Sequence, residues 1–249
     1  MPLLGTLDIA QWAAGGASKF DPWDGDAWVL KNAELLAVSI EIQPVARALL
    51  PPGMHPSVPM YAVFSVGRFP DSPVGPFTMA QVLISGRVGI RPRGFALKTL
   101  VNNETARREL AARWGYPVAS GEAKIHSRHD RVQAEVRAGG ALVLECELTD
   151  REPIEGSDIE PLASTNLAHN AADEKLVLIQ VEPAYEYSKA ERGRPRILSF
   201  DPAAWRTGGH VQLNQGITAV YSHCDMALPP PRFIMDPQRP SSQMPKAAA

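Results

Sequence analysis

Three short runs hold side chains whose types and spacing could do chemistry. His126-Ser-Arg-His129-Asp130 sets two imidazoles and a carboxylate close together, as a metal site would need. The run is strongly polar and stands just before a hairpin pattern, so an exposed turn is the favoured reading. Arg87, Arg91 and Arg93 could clamp a carboxylate or phosphate, although the neighbouring Gly89, Pro92 and Gly94 favour a solvated loop. His223-Cys224-Asp225 contains the residue types of a nucleophilic relay, but neighbours along a strand face opposite ways, which argues against one. No Walker loop, dinucleotide fingerprint, HExxH, nucleophile elbow or CxxC occurs, so no cofactor and no metal are expected.

The elements that must position these groups are short strands and a few short helices. Pro is abundant at 23 of 249 residues, which shortens helices and favours strands and turns. The segments 28–42, 60–67, 77–90 and 94–101 are strand-like, with Ser85-Gly86 as an expected bend. Residues 43–50 read as a short helix with Pro44 in its first turn. Asn102-Asn103, Glu104 and Gly115 frame a helix of about eleven residues with a side-chain cap and an acid in its first turn. Residues 131–137 and 141–149, around Gly139-Gly140, alternate as a β-hairpin. A long loop is expected over 150–174, followed by strands at 175–183, 195–200 and 209–221. The fold class is therefore α+β: a single domain with a large curved antiparallel sheet, closed or barrel-like, and a few short helices. Its expected divisions are an N-terminal arm at 1–27 anchored by Trp23 and Trp28, a main domain at 28–235, and a flexible tail at 236–249.

Composition excludes several partners. With 25 basic against 27 acidic residues, nothing marks a nucleic-acid or anionic-membrane surface. No run approaches the roughly 18 apolar residues of a membrane span, and no secretory signal opens the chain, so a cytoplasmic protein is expected. Cys146 and Cys224 read as buried free thiols.

At Glu104 to Ala119 (ETARRELAARWGYPVA) the chain resembles the acetoacetate decarboxylase family, in which an acid-capped helix leads into an aromatic-Pro-Lys-Lys turn. Leu49-Leu-Pro51 is similar to the family's helix-ending Val-Val-Pro, and Gly75-Pro-Phe77-Thr78 to its Gly-x-aromatic-Thr; Trp205, Val211-Gln-Leu213 and Leu228-Pro229 are looser parallels. The resemblance implies a Schiff base on the first lysine of the pair, its pKa lowered by the second, a family that is itself a standard illustration of this effect. Val118 and Ala119 stand at those two positions, and an ungapped register puts Asn32, Phe64 and Met79 where the family has an arginine and two glutamates. The implied outcome is an apolar chamber, lined by Asn32, Phe64, Met79, Val118 and Ala119, in which imine chemistry has been abandoned.

Such a chamber suits a cofactor-free cyclase, isomerase or lyase of specialised metabolism acting on a keto acid or polyketide-like small molecule. Tyr116 is the expected pocket phenol. If the chain continues extended after Pro117, then Val118, Ser120, Glu122, Lys124 and His126 share a face, setting a carboxylate and an ammonium beside the lost nucleophile; Tyr116, Glu122 and Lys124 are then the catalytic candidates. The competing reading turns that face to solvent, with Ala119, Ala123 and Ile125 packing inward. Two alternatives stay open: a non-catalytic binding relative, and a decarboxylase or aldolase whose lysine has moved to Lys124 or Lys98. The family resemblance also implies a homo-oligomer.

Overall fold

The computed structural model describes residues 3–240. Two α-helices, α1 (Ile9–Ala14) and α2 (Glu104–Trp114), accompany fifteen strands. The strands are β1 (Ser18–Phe20), β2 (Trp28–Ile42), β3 (His55–Pro56), β4 (Tyr61–Phe69), β5 (Phe77–Val88), β6 (Arg91–Val101), β7 (Val118–Ser120) and β8 (Glu122–Ser127), then β9 (Arg131–Ala138), β10 (Ala141–Pro153), β11 (Ser164–Asn170), β12 (Leu176–Gln180), β13 (Ala184–Phe200), β14 (Leu213–Leu228) and β15 (Phe233–Met235). All fifteen belong to one sheet, in the order β15-β12-β11-β6-β5-β4-β2-β14-β13-β10-β9-β8, with β1, β3 and β7 attached to β11, β5 and β6.

The expected α+β class and curved sheet are found, with two corrections. The sheet is mixed, because β1–β11, β6–β11 and β6–β7 are parallel pairs. It is also not closed: β8 ends the strand order and packs over β4 and β5 instead of pairing with them. That curvature encloses the larger core, which includes Leu36, Val38, Phe64, Val66, Leu144 and Tyr221. A second core lies under α2 and includes Trp28, Phe69, Phe77, Trp114 and Tyr116.

Helix α2 forms for the reasons legible in its sequence. The Asn103 side chain accepts the Ala106 N–H at 3.0 Å, Glu104 lies in the first turn and Arg113 in the last. Gly115 ends it at φ +66°, where a side chain would be strained and a Cβ would come within 2.4 Å of Ile179. Ala106, Leu110 and Trp114, four residues apart, bury one face.

Residues 3–27 pack against the rest of the fold. Asp8 caps α1, Trp12 is buried with the Arg206 guanidinium 3.7 Å from its ring centroid, and β1 joins the sheet. Trp23 and Trp28 both meet Trp114 edge-on, at 5.3 and 5.1 Å; Trp28 is buried and Trp23 partly so. The segment 150–174 is likewise not one loop, since β10 runs to Pro153 and β11 starts at Ser164. Residues 236–240 lie against Gly53, whose N–H donates to the Pro237 carbonyl at 2.7 Å; 241–249 of the expected tail lie outside the described residues.

Candidate functional site

Four adjacent strands build the floor of a cavity of about 460 Å³. Cross-strand register stacks three rungs: Leu83–Val63–Ser39–Thr218, Gln81–Ser65–Ala37–Val220 and Met79–Gly67–Leu35–Ser222. Outer rungs four residues apart span about 13 Å along the strands. The hollow exists because Ser39, Ser65 and Ala37 are small where their neighbours are large, whereas the space over Gly67 is filled by Phe69 and Leu35. Alternation sends Leu36, Val38, Phe64 and Val66 of the same strands into the core on the other face. Ile154, Ile159, Pro161 and Leu162 from the segment between β10 and β11 form another wall, with Tyr185 and Tyr187 of β13 and Tyr116 after α2.

The polar groups deep in this cavity are neutral. Tyr116 is carried in by the turn at Gly115: its N–H donates to the Leu110 carbonyl and its own carbonyl accepts from the Ser18 hydroxyl. The Ser164 hydroxyl donates to the Tyr116 phenol oxygen at 3.4 Å, which leaves the phenolic proton free for a ligand. Burial pushes the Tyr116 phenol up to about 12, does the same to Tyr187, and raises Tyr185 as well. All three are therefore hydrogen-bond donors at neutral pH. Tyr185 and Tyr187 stack with centroids 5.5 Å apart. Gln81 donates to Thr99 Oγ1 at 3.0 Å and faces the middle of the floor. Charged lining groups are Asp158, Glu160 and Arg192.

The sequence-predicted residues are divided by this geometry. Met79 and Tyr116 line the cavity. Val118 packs in the same cluster as both, beside Thr99 in the parallel β6–β7 pair, but is not itself on the wall. Ala119 packs against the opposite core. Phe64 lies on that opposite face, edge-on to Phe200 at 5.3 Å; its neighbour Ser65 takes the cavity side, because one residue along a strand reverses the face. Asn32 is exposed in a bulge of β2 at φ +54°, its N–H donating to Asp225 at 2.8 Å. Glu122 and Lys124 are exposed on β8 while Ala123 and Ile125 pack inward, so the solvent-facing reading of that strand is the one found. Lys98 points to the other face and donates to the Ala204 carbonyl at 2.7 Å. No lysine among the described residues lines the cavity.

The remaining motifs resolve into internal contacts. Arg93 is buried and, with Arg91, clamps a carboxylate of the chain itself, Glu182. His223 hydrogen-bonds Tyr221, which donates to Glu34 at 2.7 Å on the face away from the cavity, while both cysteines are buried and free. Among the described residues no cluster of His, Cys, Asp and Glu could hold a metal ion. Sequence reasoning missed Ser65, Gln81, Ser164, Tyr185 and Tyr187; the period-two spacing of Tyr185 and Tyr187 was the available signal.

A sequence profile of the family described as acetoacetate decarboxylase matches residues 17–219. The chain belongs to the acetoacetate decarboxylase family. Solved structures agree on the fold. Acetoacetate decarboxylase from Legionella pneumophila superposes with a TM-score of 0.74 at 17% identity, covering 86% of this chain and 88% of that one. The enduracididine biosynthesis enzyme MppR, solved with pyruvate, gives 0.68 at 16% identity over 84% and 90%. An acetoacetate decarboxylase-like enzyme from Sphingomonas wittichii RW1 gives 0.64 at 16% over 84% and 93%. No curated protein sequence matches. Within the family's fold, this chain's cavity presents phenols, hydroxyls and a carboxamide, with two carboxylates and one guanidinium that are exposed. No helix among the described residues is long and apolar enough to cross a membrane.

Proposed function

We propose that this chain is an enzyme of specialised metabolism that activates a small carbonyl compound by hydrogen bonding from the phenols of its cavity, without an imine and without a cofactor. The observation that carries the reading is a 460 Å³ cavity holding Tyr116, Tyr185 and Tyr187 but no lysine among the described residues. Neutral donors aimed at a carbonyl oxygen stabilise the charge that develops there as an enolate forms. Asp158 or Glu160 takes the proton from the adjacent carbon. The enolate then regains that proton at a different carbon, or attacks a second carbonyl carbon of the same molecule, whose oxygen takes the π pair and the proton as the ring closes, or expels a β-substituent with its bonding pair, so the reaction is an isomerisation, a cyclisation or an elimination.

A purely binding role is the second reading, favoured by the absence of charge deep in the cavity. Lys98 and Lys124 give no support to a moved nucleophile, because neither reaches the cavity wall. The proposal includes a homo-oligomer, on the family resemblance, since Trp28 is buried within the chain itself; light scattering tests it against the 27.0 kDa monomer. The imine-free reading is tested by incubating the protein with pyruvate or 4-phenyl-2-butanone and cyanoborohydride, followed by intact-mass measurement. An unchanged mass is expected. A reduced adduct on any lysine overturns it.

A further inference from the structure

We infer that the substrate of this cavity is an uncharged carbonyl compound, of the size and shape of an arylalkyl ketone or a polyketide-derived ester, and not a free oxo-acid anion; this rests on the carbonyl-activating reading above. Three observations converge on it. First, Arg192 is the one cation among the described lining residues, and it is exposed and already engaged by Glu152, whereas the lining also holds two carboxylates, the exposed Asp158 and Glu160. A carboxylate entering here would shed its hydration, meet two like charges and find no unpaired cation. Second, Glu160 lies close to a further lining residue, Tyr61 at the start of β4, whose phenol is raised first by burial and then by that carboxylate.

Third, size and surface fit a larger neutral molecule. A cavity of about 460 Å³ lies within the roughly 300–1,000 Å³ that encloses drug-sized ligands. Its walls alternate apolar side chains with the stacked Tyr185 and Tyr187 rings, which suit a flat apolar body. The neutral donors Tyr116 and Gln81 remain to orient one or two oxygen atoms.

The test compares two probes of nearly the same shape, 4-phenyl-2-butanone and 3-phenylpropanoate, which differ by a methyl group in place of a carboxylate oxygen. Titration calorimetry on the full chain should show the ketone binding about tenfold more tightly or better. The Asp158→Asn/Glu160→Gln double variant should narrow that ratio by at least about threefold, by gaining affinity for the acid. Equal or tighter binding of 3-phenylpropanoate, no binding of either probe at millimolar concentration, or an unchanged ratio in the double variant overturns the inference. The two claims fail separately: a ketone preference together with a trapped imine removes the imine-free reading and leaves the charge inference, while tighter acid binding without an imine does the reverse.

Discussion

Filling the cavity from its floor should stabilise the protein while abolishing binding. Ala37 sits in the middle rung, between Ser65 and Val220, and is only half-buried because its methyl group faces the hollow. Ala37→Leu adds three carbons, which at about 0.8 kcal/mol per buried methylene is worth about 2.4 kcal/mol. Fixing the leucine rotamer costs about 0.5–1 kcal/mol, leaving a net gain of about 1.5 kcal/mol. For a chain of this size that is a rise in Tm of about 3–6 °C. Differential scanning calorimetry measures the rise, and calorimetric titration with 4-phenyl-2-butanone should show at least about a tenfold loss of affinity. A well-packed floor would instead be overfilled and lose about 1–3 kcal/mol. A falling Tm, or a variant that binds the ketone as before, would therefore refute the cavity assigned to these three rungs.

Other outcomes follow from the same geometry. Tyr116→Phe removes one hydroxyl whose partner in the fold is the Ser164 hydroxyl at 3.4 Å, so the fold should persist while α-proton exchange of 4-phenyl-2-butanone in D2O, followed by NMR, slows about 100-fold; Glu122→Gln, on exposed β8, should leave exchange unchanged. Val118→Lys should place an amine in the apolar cluster shared with Met79 and Tyr116, where burial depresses its pKa, so cyanoborohydride should trap the ketone on this variant alone; no adduct would mean that position 118 does not reach the cavity. Burial raises Cys146 from its ordinary 9.0 to about 12 and Tyr116 from 10.0 to about 12. Because the folded values exceed the unfolded ones, this contribution to stability is intact below about pH 9 and is lost as the pH rises through about 12. Urea midpoints should fall across that window, less steeply in Cys146→Ala, and a flat profile would contradict the burial of these groups.

What could be read from the sequence was what short-range chemistry determines. The frame of Asn103, Glu104 and Gly115 defines α2, and α2 delivers Tyr116 to the cavity. The Gly139-Gly140 turn likewise announces the β9–β10 hairpin. The cavity floor is different in kind, because it depends on the register of four strands drawn from residues 35–39, 63–67, 79–83 and 218–222. A single residue of register separates Ser65 on the cavity side from Phe64 in the opposite core, and no local pattern in β4 says which face will be covered by β8. Glu122 and Lys124 misled for the same reason: strand alternation pairs them with His126 but does not say which side meets water. Tyr185 and Tyr187 were hidden because the start of β13 is rich in Glu, Ser and Lys, a composition that reads as loop although the tyrosines alternate with it.

Carbonyl-¹³C-labelled 4-phenyl-2-butanone, bound to the protein and observed by NMR, tests carbonyl activation by phenols most directly. The bound resonance should remain that of a ketone, move downfield as the phenols withdraw charge from its oxygen, and return toward the free value in Tyr116→Phe. A resonance in the imine range, or a fully bound ketone with no downfield shift, would contradict it.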